Sequence, residues 1–206
     1  MRPVYFTRAY PASQMSASLP ETPPAPAGDP RAVRMIPLIV SCALFMQMLD
    51  STVVATALPV MAHGFGTTVV RMNVTITAYL LAVAVFVPIS GWAADRFGSR
   101  SVFIAAIALF TLSSVACAGA QDLTQLVAAR VAQGAAGALM VPVGRIILLR
   151  MVPKAELLKA MALLSLPALM GPVIGPPVGG FLATYATWHW IFLINVPVGL
   201  LGIALV

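Results

Sequence analysis

Asp50 stands near the middle of an apolar run, after Ala43-Leu44-Phe45-Met46 and before Val53-Val54-Ala55. A carboxylate at the centre of a bilayer-spanning helix costs roughly 2.5 to 3.5 kcal/mol on insertion scales, so it must face a partner or a wet cavity. An acid so placed is suited to take up and release a proton. The other reading is a hydrogen bond to a neighbouring helix with no protonation cycle. Gln47 lies one turn earlier on the same helical face. Arg130 is a second charge within an apolar run, about 10 Å inside the end of its span at 1.5 Å per residue. Gln133, Gly134 and Gly137 follow it on the same face, leaving room beside the guanidinium for another helix or a cavity. Its alternative is a long side chain snorkelling to the headgroups.

Two further segments carry a pattern. Gly91-Trp92-Ala93-Ala94-Asp95-Arg96-Phe97-Gly98-Ser99-Arg100 joins two apolar runs through a short charged connection. Gly91 and Gly98 permit close approach and a tight turn. Asp95, Arg96 and Arg100 either pair with neighbouring helices, as a gate would, or anchor the loop. The second is Gly171-Pro172-Val173-Ile174-Gly175-Pro176-Pro177-Val178-Gly179-Gly180. Glycines four apart let helix backbones approach closely, and prolines within a membrane helix need protein cover. On spacing alone this is a small-residue packing seam.

The elements that must position these residues are membrane helices. Only 9% of the 206 residues are charged, against about 25% in a soluble domain. Apolar runs of roughly 18 or more residues read as spans. Six are expected: about 35–61, 73–93, 101–120, 123–149, 160–185, and one starting near Trp190 that the chain end at Val206 cuts off. With the N-terminus in the cytoplasm, Arg31, Arg34, Arg96, Arg100, Arg150, Lys154 and Lys159 lie on the cytoplasmic side and Arg71 alone lies outside. That bias sets the orientation. Trp188 and Trp190 then fall in the outer aromatic belt. Residues 1–33, with Pro3, Pro11, Pro20, Pro23, Pro24, Pro26 and Pro30, read as a disordered cytoplasmic tail. No apolar h-region follows Arg2 and Arg8, so this is no signal peptide; Met15 and Met35 are alternative starts.

The net charge of +6 is spent on orientation, and no basic cluster with interleaved aromatics points to nucleic acid. Cys42 and Cys117 both sit inside apolar runs with no metal-ligand spacing. The six acids, Glu21, Asp29, Asp50, Asp95, Asp122 and Glu156, and two histidines form no sequence cluster of the kind a membrane-embedded enzyme needs. A non-enzymatic role without metal or cofactor is expected.

Taken in order, these segments resemble the signatures of the major facilitator superfamily. The Gly91–Arg100 stretch resembles its loop 2–3 motif. Leu126–Ala138 resembles its span 4 motif, whose arginine is associated with proton transfer. Gly171, Gly175, Pro176, Gly179 and Gly180 resemble the span 5 antiporter motif, found in exporters. Leu49–Pro59 and Trp188–Gly199 are similar to the span 1 and span 6 signatures of the fourteen-span drug:proton antiporters of EmrB/QacA type. The resemblance implies an all-α, polytopic major facilitator fold, of which residues 34–206 make the first six-helix bundle as 3+3 inverted repeats, truncated in span 6.

It also implies proton-coupled efflux of lipophilic or cationic small molecules across the plasma (inner) membrane, completed by a missing C-terminal half. Asp50 and Arg130 would couple the proton, which is the only coupling ion and needs no cofactor. Gly91, Asp95, Arg96, Gly98 and Arg100 would form a gating loop, and the span 5 glycines would let the bundles slide. Met46, Gln47, Phe86 and Met140 are candidates to line an adaptable substrate cavity. An exporter of an endogenous lipid, antibiotic or metabolite, or a non-transporting fragment, would carry the same residues.

Overall fold

The computed structural model describes residues 30–205, which form an entirely helical bundle. The expected tail lies outside the described residues as far as residue 29. Residues 30–33, also assigned to it, instead begin the first helix.

In chain order the helices are α1 (Pro30–Gly64), α2 (Val69–Met72), α3 (Val74–Phe86), α4 (Ile89–Phe97), α5 (Ser99–Ala118), α6 (Leu123–Met151), α7 (Lys154–Tyr185), α8 (His189–Leu193) and α9 (Asn195–Leu205). Five segments are long and apolar enough to cross a membrane: Met35–Gly64, Val69–Phe86, Ser99–Ala118, Leu123–Met151 and Lys154–Tyr185. The sixth, His189–Leu205, is shorter and divides at Ile194 into α8 and α9. Five long runs and a sixth cut short after a start near Trp190 were expected, and this is the arrangement among the described residues. The second span also differs from one smooth helix, breaking at Asn73 and again before Ile89. Pro88 explains the second break, since it offers no N–H to continue the ladder.

Local chemistry sets the other ends. Asp122 caps α6 by accepting from the Gln125 amide at 2.8 Å, while Gln125 Oε1 accepts from the Gln121 amide at 3.0 Å, satisfying two otherwise orphan donors. Val152 is extended between α6 and α7, as a residue before proline must be. Gly98 turns the chain from α4 into α5 with φ of 84°, a left-handed conformation open to glycine.

α1 packs along α7, α6 lies between α3 and α5, and α9 completes the bundle against α5 and α1. The apolar interior falls into two clusters. One, nearer the Asp95 end, contains Val40, Met46, Phe103, Phe110 and Met140. The other, nearer the Trp188 end, contains Val54, Met61, Met72, Leu126 and Phe192. On α1 the first cluster stops at Met46 and the second resumes at Leu49. Asp50 stands at that division.

Candidate functional site

A polar layer crosses the bundle between the two apolar clusters, its five members drawn from four helices. α1 supplies Asp50, α5 supplies Ser114, α6 supplies Arg130 and Gln133, and α9 supplies Asn195 at its first residue. Asp50 is 0% exposed and Arg130 1%.

The carboxylate is the centre of the layer. Asp50 Oδ2 accepts from Arg130 Nη1 at 2.6 Å. Asp50 Oδ1 accepts from Gln133 Nε2 at 3.0 Å and from Asn195 Nδ2 at 2.9 Å. Arg130 Nη1 also donates to Gln133 Oε1 at 2.6 Å, so the arginine fixes which way that amide faces. Both amide nitrogens donate in turn to Ser114 Oγ, at 2.6 Å from Gln133 and 3.1 Å from Asn195. Charge-assisted hydrogen bonds of this kind are the strong ones, and a buried ion pair is tolerable only when its remaining lone pairs are satisfied.

Aromatic rings close the guanidinium in. Its Cζ lies 4.4 Å from the centroid of the Tyr79 ring and 5.9 Å from that of Phe192, within reach of a cation–π interaction. Among the described residues, three buried polar atoms have no partner: Gln47 Oε1, Arg130 Nε and Asn195 Oδ1.

Arg130 therefore turns inward to the carboxylate and does not snorkel. Sequence reasoning singled out Asp50 and Arg130 separately, placed Gln133 on the arginine's face without a role, and assigned nothing to Ser114, Tyr79 or Asn195. The available signal was faint: polar side chains inside apolar runs. Gln47 shares a face with Asp50 but sits toward α3 and α6. A Cβ on Gly137 would lie 3.1 Å from both Gln47 Nε2 and the Tyr79 hydroxyl.

The charged connection between α4 and α5 pairs elsewhere. Asp95 Oδ1 accepts from Arg150 Nη2 at 3.2 Å, and Arg150 Nη1 donates to Ser99 Oγ at 3.3 Å. This ties the α4–α5 turn to the end of α6, through an arginine counted above only for orientation. Gly98 makes the turn as expected. Gly91 differs, because a Cβ there would meet nothing within 4 Å. No close approach depends on it in this arrangement.

The glycine stripe of α7 faces α1. A Cβ on Gly171 would lie 2.6 Å from the Met48 side chain, while one on Gly175 or Gly179 would collide with Thr52 Oγ1 or Thr56 Oγ1. Thr52 Oγ1 also donates to the Gly171 carbonyl at 3.3 Å. These glycines therefore close a seam inside the bundle and do not offer a surface on which a second bundle slides. Pro176 lies within the helix beside them, and Gly180 has open space where a Cβ would stand.

Two cavities open elsewhere. One of about 430 Å³ at the Asp95 end is lined by Ile36, Val40, Ser99, Arg100, Phe103 and Arg150, among others. A groove of about 680 Å³ between α1, α7 and α9 is lined by Cys42, Phe45, Leu166, Pro167, Met170 and Leu201, among others. Neither is lined by Met46, Gln47, Phe86 or Met140. Met46 and Met140 are core residues, Gln47 is buried, and Phe86 points out from α3. The cavity expected from those four is absent from both sites, because core packing claims the methionines.

The family model described as Major Facilitator Superfamily matches residues 40–206. The chain belongs to that superfamily. Among named superfamily relatives, the multidrug resistance protein MdtD of Cronobacter sakazakii is 52% identical over 175 residues. That match covers 85% of this chain and 37% of the relative. The MdtD of Yersinia enterocolitica is 53% identical over 164 residues, covering 80% and 35%. The chain thus spans little more than a third of the length of these relatives.

The superfamily fold is equally plain in solved structures. A D-xylose–proton symporter aligns with a TM-score of 0.73 at 16% identity, over 84% of this chain and 47% of that one. A bacterial homologue of the human lysosomal transporter Spinster aligns with a TM-score of 0.69 at 18% identity, covering 86% and 42%. At such identities the likeness is one of fold. Its partial coverage matches the expectation of one bundle from a larger transporter architecture.

Proposed function

We propose that this chain is the N-terminal bundle of a proton-coupled exporter of drugs or other lipophilic or cationic small molecules, acting across the plasma membrane with its N-terminus in the cytoplasm. The observation that carries the reading is the Asp50–Arg130 pair, a single carboxylate held by one cation and two amides at the centre of an apolar bundle. Multidrug resistance in the names of relatives at 52–53% identity supports the direction and class of cargo.

The chemistry follows from the charge balance. A carboxylate paired with a guanidinium is neutral as a unit, so the layer sits between apolar clusters at tolerable cost. A proton arriving on Asp50 cancels half of the pair and leaves Arg130 as an uncompensated buried cation. The bundle must then rearrange toward water or a new partner, which converts proton binding into motion. A cationic substrate competing for the carboxylate exploits the same balance in reverse, and exchange of the two is antiport. The Asp95–Arg150 pair would hold the cytoplasmic end of one of the two states, and the α1–α7 seam would carry Asp50 with α7 as a unit.

Placement in the fourteen-span EmrB/QacA branch rests on the span 1 and span 6 signatures alone, since the relatives bear the name MdtD. A second bundle supplies the rest of the substrate path, and the fragment alone is expected to give no counterflow. The test is dye or drug efflux in inverted vesicles containing full-length protein. Wild type should extrude substrate when a proton gradient is imposed, and Asp50→Asn should not. Undiminished proton-driven efflux in the variant would remove Asp50 from the coupling role.

A further inference from the structure

We propose that Asn195 is a positioning residue whose side-chain amide turns over when Asp50 takes up its proton, so that the first residue of α9 follows the charge state of the site. This rests on the proton-coupled reading above. The hydrogen bonds to the Asp50 oxygens suit a charged carboxylate and fail a neutral one.

With Asp50 charged, both carboxylate oxygens only accept, and every neighbour facing them donates. The orientation of each amide follows from that network: turned the other way, Asn195 would set its oxygen against the carboxylate. A protonated carboxyl carries an O–H that needs an acceptor. On Oδ2 it would face Arg130, which has none to offer. On Oδ1 it would face Gln133 and Asn195.

Gln133 cannot turn, because Arg130 Nη1 holds its oxygen at 2.6 Å. Ser114 Oγ already accepts from both amides. Asn195 Oδ1 is buried and has no partner. Rotation of that one amide by ~180° about its terminal torsion, a broad two-fold torsion, brings the oxygen to the new O–H. The same rotation withdraws Nδ2 from Ser114 Oγ. Proton uptake thus exchanges an Asn195–Asp50 donation for an acceptance and reverses the α9–α5 bond, the Ser114 O–H now donating to Asn195 Oδ1.

The titratable groups facing the site are Arg130 on α6, Tyr79 on α3 and Cys117 on α5. α9 contributes none, and α7 carries none between residues 160 and 184. His189 of α8 stacks on Trp188. Arginine stays charged. Gln47 Oε1 is also unpartnered, but of the groups hydrogen-bonded to Asp50 it is Asn195 that has a spare acceptor.

The experiment is pH-difference infrared spectroscopy on the full-length protein. A protonated-carboxyl band that disappears in Asp50→Asn is required by the parent reading, and its absence at every pH would defeat that reading. Asn195→Leu keeps the side-chain shape without polar atoms. In it, the Asp50 band should move to higher wavenumber, as an acid that has lost its acceptor does, and proton-driven efflux should fall about tenfold, the loss of one buried hydrogen bond. An Asp50 band that is present but unmoved in Asn195→Leu overturns this proposal alone. Should Asn195→Leu fail to fold, wild type grown on isotope-labelled asparagine decides the matter. An asparagine carbonyl band that shifts to lower wavenumber as Asp50 protonates supports the rotation, and one that stays fixed refutes it.

Discussion

The Asp50–Arg130 and Asp95–Arg150 pairs differ in everything except their chemistry. Asp50–Arg130 is 2.6 Å long with both side chains essentially inaccessible. Asp95–Arg150 is 3.2 Å long, with the arginine 59% and the aspartate 73% exposed. The inner pair lies in an apolar surround where each charge depends on the other, and loss of either leaves an ion with no water to turn to. The outer pair has solvent or headgroups as a ready substitute, so it can break and re-form at little cost. A coupling site needs the first property, because a proton must matter there. A contact that helps hold one state of a cycle needs the second, because it must let go.

The sharpest way to break this comparison is to remove one charge from each pair. Arg130→Leu should cost about 3–5 kcal/mol of stability, since it strands Asp50. Adding Asp50→Asn to that variant should recover part of the loss. Denaturant titration of the full-length protein measures both, and a double variant no more stable than the single one would mean that Asp50 is already neutral.

The seam that holds α1 in place comes next. Gly175→Val would drive a branched side chain into Thr52 and should cost about 1–3 kcal/mol, the usual range for overpacking. Gly180→Ala, facing open space, should change stability by no more than about 0.5 kcal/mol. Equal effects at the two positions would show that α7 does not lie against α1 by its glycine stripe.

The smallest effect is expected at the outer pair. Asp95→Asn should shift stability by about 1 kcal/mol or less, and salt should diminish what difference there is. A loss as large as that of Arg130→Leu would erase the distinction between the regions.

Much of this was legible in the chain alone. A charge inside an apolar run is conspicuous because insertion penalises it, so Asp50 and Arg130 announce themselves. Glycines four apart on a helix announce a close approach. The turn at Gly98 follows from glycine's backbone freedom, while the cap at Asp122 and the break before Pro153 were read only from the structure. What lay hidden was who meets whom. The two members of the ion pair are 80 residues apart, and those of the Asn195–Asp50 bond 145. Ser114 and Asn195 are ordinary polar residues whose importance comes only from the helix that each faces. The methionines at 46 and 140 suited an adaptable cavity by type, yet the core took them.

Hydropathy, charge placement and glycine spacing by themselves determined that this is a helical membrane bundle with charged residues inside its spans, Asp50 and Arg130 among them. They are local properties, written at each position by the cost of putting that side chain in oil. Only the tertiary structure decided that the acid and base touch, that two amides complete their shell, and that the span 5 stripe closes on span 1. Those facts depend on the rotation and register of helices distant in sequence, which short-range pattern does not encode.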